Sequence, residues 1–336
     1  MYDLVIIGSG PAGLSASLAA KHIGLDYVVL ERGIIADTIY HFPIARPLFS
    51  TANELELEPG SLPATLRPTR EELLKHYMIT ASQHGLNIRT GENVWKIEPV
   101  DDGFVVHASS ERFLARSVLA ALGGFGRERR LEVPGENSSR VSYRFSEPFQ
   151  YAMKGVLVVG GGNSAAEAAL ALAEVGASVT LAIRRPSLDI PVSKRTVTRA
   201  AIKPWVREPL DRAIASGAIR LVTSAEVVRL TSDAAFLEVS SGPDATVPDR
   251  IVEVPCDHIF GLIGADPDTS LLEGAGAQIA EDGRPVYDPV SYETTVPGLF
   301  IAGHLTRERH IKNAIRNAER VVEYIGAYSL DGALVR

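Results

Sequence analysis

The chain has 336 residues, long enough for two domains with separate cores. Its 41 acidic and 34 basic residues give a formal net charge of −7, which argues against a nucleic-acid partner because a polyanion requires a basic patch. One cysteine excludes an intrachain disulfide and favours a reducing compartment, so we expect a cytoplasmic protein. The N-terminal apolar run meets a glycine too soon for a signal peptide or a membrane span, and we expect no membrane association.

The N-terminal stretch carries a dinucleotide-binding fingerprint. The apolar run 3–8 predicts a buried strand, 14–21 a helix, and 25–30 a second strand that ends on Glu31. In the connecting loop, Gly8 makes the tight turn, Gly10 lets the backbone approach a pyrophosphate, and Gly13 lets the helix pack closely on the strand. Glu31 lies 31 − 8 = 23 positions after the first glycine, where a carboxylate can accept hydrogen bonds from two ribose hydroxyls. The alternative is a sharp strand-to-helix turn followed by a chance acid.

A long irregular segment follows, from residue 34 to 66, and its aromatic residues argue against disorder. We interpret it as wrapping a ligand. A helix is predicted over 69–82, because Thr69 and Glu72 have the spacing of a capping box. Alternating or apolar runs then predict the strands of a meander, which are 86–89, 93–99, 104–108 and 117–122.

The fingerprint then occurs a second time. Strand 155–160, a loop from Gly160 to Ala165, an alanine-rich helix 165–175 and strand 178–183 repeat the same unit in its G-x-G-x-x-A form. Where the first unit has Glu31, this one has Arg184 and Arg185, and the spacing agrees because 184 − 160 = 24. A guanidinium pairs bidentately with phosphate oxygens, so this unit is predicted to bind NADPH. The alternative is a solvated surface pair of arginines.

The remaining segments predict the rest of two domains. A helix is expected over 207–215, after a basic irregular stretch from Leu188 to Trp205. Short antiparallel strands are predicted to complete the second domain, at 219–228, 234–239 and 250–254. Buried strands at 258–264 and 298–303 and a C-terminal helix at 311–325 follow.

These motifs in this order resemble the thioredoxin-reductase-like two-domain flavoproteins over nearly the whole chain. The resemblance implies an α/β fold with two Rossmann-like dinucleotide-binding domains, the NAD(P)H domain inserted into the FAD domain. It implies an FAD domain of residues 1–120 and 257–336, an NAD(P)H domain of residues 121–256, and a homodimer. Three segments are most similar to the bacillithiol-disulfide reductase branch, namely Ile39-Tyr-His-Phe-Pro43, Phe49-Ser-Thr51 and Ile202-Lys-Pro-Trp205.

The chain departs from its relatives at three places. Thioredoxin reductases carry a Cys-x-x-Cys pair in the inserted domain, and this chain has none, which excludes reduction of thioredoxin through a protein dithiol. The bacillithiol branch has a cysteine in its first glycine loop, where this chain has Ala12. The family's Gly-Asp after the last strand is Gly303-His304 here, so the glycine carries over and the role of the acid does not. The single cysteine, Cys256, is expected to be an inert buried thiol.

The motifs and the resemblance together predict a set of cofactor-binding residues and no catalytic side chain or metal ligand. One of Tyr40, Phe42 and Phe49 is a candidate to stack on the flavin ring, or these residues fill the core beneath the loop. Lys312 and Asn313 open a helix that, by resemblance, faces the flavin, or they are an ordinary helix start. The predicted FAD residues are Gly8, Gly10, Pro11, Ala12, Gly13, Glu31, Arg32, Tyr40, Phe49, Val94, Gly123, Gly303, His304, Lys312 and Asn313. The predicted residues around the second nucleotide are Gly160, Gly162, Asn163, Ser164, Ala165, Arg184, Arg185 and Gly264.

The predicted function is an FAD-containing, NADPH-dependent oxidoreductase that passes hydride from NADPH to flavin and on to an acceptor. One candidate acceptor is a small-molecule disulfide. The other is a small electron-transfer protein such as ferredoxin or flavodoxin, as in the ferredoxin–NADP reductases that share this scaffold without a dithiol. A monooxygenase is disfavoured, because Gly124-Phe-Gly-Arg127 lacks the histidine-bearing fingerprint of that family. A non-catalytic flavin-binding sensor is the alternative of another class.

Overall fold

The computed structural model describes residues 1–62, 67–189, 202–240, 250–308 and 310–330, without the side chains of 328–330. The chain divides into two compact units, one of residues 1–127 and 266–336 and the other of residues 128–265. In the part of the chain that is described, no helix has both the length and the apolar character needed to span a bilayer.

The described residues form eight α-helices and seventeen strands. The helices are α1 (Pro11–His22), α2 (Asp37–Tyr40), α3 (Ala52–Leu55), α4 (Arg70–Gln83), α5 (Asn163–Glu174), α6 (Pro204–Ala215), α7 (Ser270–Gly274) and α8 (Ile311–Leu330). The strands are β1 (Tyr2–Ile7), β2 (Tyr27–Glu31), β3 (Ile88–Thr90), β4 (Lys96–Val100), β5 (Gly103–His107), β6 (Arg112–Ala120), β7 (Arg127–Glu128), β8 (Val141–Ser142), β9 (Gly155–Val159), β10 (Ser178–Ala182), β11 (Ile219–Val222), β12 (Ala225–Leu230), β13 (Ala234–Val239), β14 (Arg250–Pro255), β15 (His258–Gly261), β16 (Ala265–Asp266) and β17 (Leu299–Ile301). Short 3₁₀ turns cover Phe149–Tyr151 and Gly303–Leu305.

The first unit is built on a sheet with the order β3-β2-β1-β6-β5-β4, in which β17 also pairs with β6. Strands β3, β2, β1, β6 and β17 are parallel, and their register pairs Ile7 with Leu30 and with Ala120, which pairs with Ile301. The carboxyl ends of these strands therefore lie along one edge, which is where open α/β sheets bind ligands. In this sheet, β4, β5 and β6 form an antiparallel meander.

Placing the segment 86–89 in a meander was wrong. Strand β3 pairs in parallel with β2, because Val29 aligns with Ile88 and Glu31 with Thr90. The chain reaches this position through α4, whose capping box at Thr69 and Glu72 is confirmed. A helix between two strands makes a parallel crossover, whereas a hairpin turn would have made an antiparallel pair.

The second unit contains a five-stranded sheet of order β11-β10-β9-β15-β8 and a three-stranded antiparallel sheet, β12-β13-β14. The prediction of one antiparallel strand over 219–228 was wrong, because β11 is parallel to β10 and β12 belongs to the other sheet. The chain breaks at Ser224, whose φ of 50° lies in the left-handed region and ends the extended run. Helix α6 begins at Pro204 rather than at Arg207, since proline suits the first helical position.

Each unit has its own apolar core. In the first unit, α1 and α8 cover one face of the sheet, and Ser15 Oγ on α1 donates to the carbonyl of Ile315 on α8 (3.0 Å). In the second unit, α5 packs Ala165, Ala169 and Leu172 against the sheet. Small side chains on both helices bring the helix axes close to their strands, which fixes the position of each helix N-terminus at the sheet edge.

Candidate cofactor-binding sites

The first glycine loop has the geometry that a bound pyrophosphate requires. Gly8 has a φ of +102°, and a Cβ there would lie 2.6 Å from the carbonyl oxygen of Ala121. A Cβ on Gly13 would lie 1.8 Å from the carbonyl oxygen of Gly8, so the helix start packs directly on the turn. A Cβ on Gly10, in contrast, would meet no described atom within 4 Å. Gly10 is the N-cap of α1 and Pro11 its first residue, and no described side chain caps the helix, so its first-turn amides point into open space.

Glu31 lies beside this loop, at the carboxyl end of β2. Its side chain is buried and accepts from the Ser9 amide (2.7 Å), the Ser9 hydroxyl (3.0 Å) and the Gly33 amide (2.8 Å). These donors hold the carboxylate at the mouth of the loop. A nucleotide ribose would present two hydroxyl donors to the same oxygens, so the acid suits a nucleotide without a 2′-phosphate.

The N-terminal part of α8 meets the glycine loop from the other side. A Cβ on Gly303 would lie 3.1 Å from the Cβ of Ala12, which shows that the Gly303 turn and α1 pack closely. The Gly303 amide donates to Asn317 Oδ1 (3.1 Å), and the Asn317 amide donates to Thr306 Oγ1 (3.3 Å). Asn317 is buried and was not among the predicted residues. The Asn317 side chain, which projects from α8, therefore orients the Gly303 turn.

The predicted flavin-side residues of α8 have different surroundings. Lys312 Nζ forms an ion pair with Glu54 Oε1 (3.0 Å), and this bond holds the pKa of Glu54 below its usual value. The Lys312 charge is therefore partly compensated by α3. Asn313 is half-buried in the first turn of α8. The first backbone amides of a helix have no intrahelical partner and give the helix start a positive potential. This potential does not depend on the ion pair between Lys312 and Glu54.

An aromatic and basic cluster covers part of the segment that was predicted to wrap a ligand. The Arg46 guanidinium lies 5.1 Å from the ring centre of Phe42 and 5.0 Å from that of Phe49. The Arg70 guanidinium lies 5.5 Å from the ring of Tyr40 and donates to the Phe42 carbonyl (3.0 Å). Tyr40 is 47% and Phe49 is 37% exposed, so these two rings are not core filling. Residues 63–66 of the predicted segment lie outside the described residues.

The other residues predicted around the first nucleotide are spread over the same unit. Val94 is buried in the core on the meander side of the sheet, and Arg32 is exposed directly after Glu31. Gly123 has a φ of +76°, and a Cβ on its neighbour Gly124 would lie 2.9 Å from the Cβ of His304. His304 is half-buried, its ring contacts that of Phe125 at 5.9 Å, and its carbonyl accepts from the buried Arg284 side chain (2.9 Å).

The second glycine loop repeats the first in geometry. Gly160 has a φ of +145°, and a Cβ there would lie 2.3 Å from the carbonyl oxygen of Leu262. A Cβ on Gly162 would find no described neighbour within 4 Å, and Gly162 is the N-cap of α5, which has no described side-chain cap. Ala165 is fully buried against the loop, and Ser164 is exposed. Asn163 Oδ1 accepts from the Lys203 amide (2.8 Å), which joins the loop to the start of α6.

The two arginines after β10 are not equivalent. Arg185 Nη2 donates to the Gly161 carbonyl, and burial lowers the pKa of its guanidinium from the usual range. Arg184 is 71% exposed, and its closest described acid is Glu226 Oε1 at 3.8 Å. Arg185 therefore supports the loop, whereas Arg184 stands at the surface. Gly264, near the end of this unit, accepts from the Arg129 amide (3.0 Å) through its carbonyl.

The single cysteine belongs to the core of the second unit. Cys256 is 6% exposed and packs with the apolar residues between the two sheets of this unit. Burial raises the pKa of its thiol, so the reactive thiolate form is disfavoured. The first unit contains no cysteine, because Cys256 is the only one in the chain.

Each glycine loop, together with the helix start that follows it and the end of the second strand, forms a cradle that fits a dinucleotide. Each cradle combines an open glycine, an uncapped helix start and a polar side chain after the second strand. Two such units, one ending in an acid and the other in a pair of arginines, define a protein of the Rossmann type that can bind two dinucleotides. The sequence model of the pyridine nucleotide-disulphide oxidoreductase family matches residues 5–303, and the chain belongs to this family.

Individual relatives agree with this placement. The bacilliredoxin reductase Bdr of Bacillus subtilis is 31% identical over 302 residues, covering 89% of this chain and 88% of that protein. The solved bacillithiol disulfide reductase Bdr (YpdA) of Bacillus cereus superimposes with a TM-score of 0.87 at 28% identity, covering 97% and 99% of the two chains. A ferredoxin–NADP reductase of Ignicoccus hospitalis is 26% identical over 91% of this chain and 90% of its own. The chain is an enzyme, an FAD-dependent NAD(P)H oxidoreductase with FAD and NADPH as its cofactors.

Proposed function

We propose that this enzyme uses NADPH to reduce a small-molecule disulfide, without a protein thiol as a relay. The balance is one NADPH, one proton and one disulfide converted to NADP⁺ and two thiols. The observation that carries the absence of a thiol relay is the position of cysteine: the unit with the predicted FAD cradle has none, and the only cysteine of the chain is buried in the core of the other unit. Similarity to the solved bacillithiol disulfide reductase Bdr (YpdA) of Bacillus cereus over 97% of the chain supports a small-molecule disulfide as the acceptor.

We assign the two nucleotides to the two cradles by the charge of the side chain that follows the second strand of each, which is an acid in the first and a pair of arginines in the second. FAD would be held by the loop from Gly8 to Gly13, by Glu31 and by the Gly303 turn. NADPH would be held by the loop from Gly160 to Ala165 and by Arg184. The FAD domain would then be the discontinuous unit and the NADPH domain the inserted one. Bound FAD supplies two-electron transfer between the nicotinamide and the acceptor, so the chain itself needs to supply only binding and orientation.

The aromatic and basic cluster on the segment 40–49 supports a small acceptor. The Arg46 guanidinium lies close to the rings of Phe42 and Phe49, whereas Arg70, next to the ring of Tyr40, is largely buried and paired with Glu71 Oε1 (3.3 Å). The rings of Tyr40 and Phe49 are substantially exposed. Such a surface suits a compact molecule with both polar and apolar parts, since cations over aromatic faces can also pair with carboxylates. We further propose a cytoplasmic homodimer, supported by the single free cysteine and by the dimers of the family that the chain resembles.

Acceptor-dependent turnover tests the proposal. The purified FAD-loaded enzyme is mixed with NADPH under nitrogen, and NADPH oxidation is followed after adding small disulfides of different charge, ferredoxin or flavodoxin in separate reactions. We expect rapid bleaching of the flavin by NADPH and the fastest turnover with a small disulfide. Faster turnover with ferredoxin or flavodoxin would replace the disulfide with an electron-transfer protein, to which the similarity with a ferredoxin–NADP reductase also points.

Cys256→Ala separates direct reduction from a thiol relay. Because the thiol is buried and its pKa is raised, we expect the variant to keep its turnover with a small disulfide within about twofold of the parent enzyme. The substitution removes one buried atom and should lower stability by only about 1 kcal/mol. The control is thermal unfolding of the same preparation. A loss of turnover beyond tenfold in a variant that remains folded and FAD-loaded would contradict the proposal.

A further inference from the structure

Three metal-ligating side chains meet at the surface of the first unit. His22 is the last residue of α1, His84 is the C-cap of α4, and Glu58 lies in the segment after α3. One ligand atom from each of the three lies within 4.8 Å of the other two. His84 Nε2 and Glu58 Oε2 are 2.8 Å apart, and the rings of His22 and His84 face each other edge to face with centres 6.2 Å apart. This group is called the His₂Glu cluster below.

The cluster is separate from the first glycine loop, which belongs to the same unit. Helix α1 has twelve residues, so its last residue lies about 18 Å from the glycine loop at its start, given a rise of 1.5 Å per residue. The proposed function uses none of the three side chains. The cluster therefore requires an explanation of its own.

The distances suit a tetrahedral metal site. Zinc bonds to imidazole nitrogen and carboxylate oxygen are 2.0–2.2 Å long, which places neighbouring ligand atoms roughly 3.3 Å apart. The His84–Glu58 separation is already shorter than this, and the remaining separations of up to 4.8 Å need to contract by about 1.5 Å at most. His22 is exposed, so its side chain can turn without displacing packed neighbours. Water would complete the coordination of a bound ion.

Electrostatics at the cluster favour a cation. Both imidazoles stand at the C-terminal end of a helix, where the helix dipole gives a negative potential. Glu58 adds a carboxylate to these two helix ends. Lys21 partly opposes this field, because its Nζ donates to the carbonyls of His84 and Gly85. The net balance is one carboxylate and two helix ends against one ammonium group, which still attracts a divalent ion.

The elements that carry the ligands share one apolar core, so their spacing is fixed before any metal binds. Leu18 of α1, Leu57 next to Glu58 and Leu74 of α4 are buried in the same cluster of side chains. The Tyr77 hydroxyl on α4 donates to the carbonyl of Leu55 (2.9 Å), which ties the segment of Glu58 to α4. A site whose ligands are held by a packed core binds metal without an ordering cost for the backbone.

We propose that the His₂Glu cluster binds one divalent transition-metal ion of the zinc class. Imidazole ligands suit zinc, copper, iron and nickel, whereas magnesium and calcium require oxygen ligands, and a carboxylate with two imidazoles is a ligand set that zinc accepts. The bound ion would join the ends of α1 and α4 to the segment 56–62. Its role would be to stabilise the first unit, independently of the acceptor of the enzyme.

The test is a titration of the FAD-loaded full chain with zinc chloride after treatment with a chelator. We expect one saturable site per chain by calorimetry, one zinc retained after gel filtration by elemental analysis, and a rise in Tm with zinc, because a ligand that binds the native state stabilises it. His22→Gln and Glu58→Gln should each weaken zinc at least about tenfold, since even outer-shell partners of metal ligands are worth 10- to 100-fold.

His310→Gln is the matched control, because His310 is another exposed histidine and is not part of the cluster. It should bind zinc as the parent chain does. The absence of a saturable site in the parent chain, or a site that neither cluster substitution weakens, would overturn the proposal. The two cluster variants are made singly, so misfolding of one, seen as a lost thermal transition, leaves the other to decide. None of these measurements uses turnover, so failure here is separate from failure of the proposed function.

Discussion

Gly10→Val is expected to yield a folded protein that does not retain FAD. A Cβ at Gly10 would meet no described atom within 4 Å, and the φ of −71° at Gly10 suits any residue, so we expect the substitution to leave the packing of the first unit intact. The added side chain instead fills the space in front of the α1 amides, where the pyrophosphate would lie. We expect a colourless protein with a cooperative thermal transition, and flavin content below about one tenth of the parent, since losing a well-oriented charged contact costs about 1.5–3 kcal/mol and a steric clash adds to this.

Two matched variants sharpen this result. Gly162→Val places the same side chain in the equivalent open position of the second loop, and it should keep FAD but bind NADPH at least about tenfold more weakly. Gly13→Ala is the opposite case, because its Cβ would lie 1.8 Å from the Gly8 carbonyl oxygen, and it should lower Tm even without cofactor. Flavin absorbance, NADPH titration and thermal unfolding of the three proteins check the set. If Gly10→Val retains FAD, the assignment of FAD to the first cradle is wrong. If Gly162→Val also loses FAD, the two assignments have to be exchanged.

The glycine loops were predictable because their chemistry is local. A left-handed φ at Gly8 and Gly160, and close backbone approach at Gly13, are requirements that only glycine meets, so they are visible as residue types at fixed spacing. The end of β2 was also predictable, because the apolar run stops at Glu31. The capping box of α4 is equally local, with both partners within three residues.

Long-range partners were not predictable. Asn317 accepts from the Gly303 amide across 14 residues, and nothing in the sequence near Asn317 distinguishes it from a surface asparagine. The difference between Arg184 and Arg185 also escaped the sequence analysis, because the spacing to Gly160 fits either residue. Only the fold shows that Arg185 turns back onto the Gly161 carbonyl. The direction of a strand has the same origin, since the run at 86–89 contains no information on whether its partner is parallel.

The break between β11 and β12 shows a different limit. The run from Ile219 to Val228 has no glycine or proline, so it predicted one strand. In the fold, the Ser224 amide donates to the Arg185 carbonyl (2.9 Å) and the Ser224 carbonyl accepts from the Ser240 amide (2.9 Å). These tertiary hydrogen bonds hold Ser224 at a positive φ, at a cost that its own residue type does not signal. The turn thus places the three-stranded sheet next to the arginine pair.

Arg184→Ala is expected to lower kcat/KM for NADPH by about 10- to 100-fold and to leave NADH within about twofold, because hydrogen bonds to a charged group contribute about 1.5–3 kcal/mol. Among the described residues, the exposed Arg184 has only a long, solvent-screened ion pair with Glu226, which a phosphate can replace with little loss. The measurement is steady-state turnover with each coenzyme at a fixed acceptor concentration. Equal losses with NADPH and NADH would remove the 2′-phosphate assignment.

Arg185→Ala provides the contrast that distinguishes phosphate recognition from loop support. The Arg185 side chain lies against the second glycine loop, with its Nη2 2.9 Å from where a Cβ of Gly161 would be. Removing it deprives the Gly161 carbonyl of its donor and loosens a loop that holds either coenzyme. We therefore expect Arg185→Ala to weaken NADPH and NADH by similar factors and to keep the parent's ratio of kcat/KM values. Glu226→Gln should move in the opposite direction from Arg184→Ala, with a modest gain for NADPH alone, because it removes the acid that competes with the phosphate for Arg184.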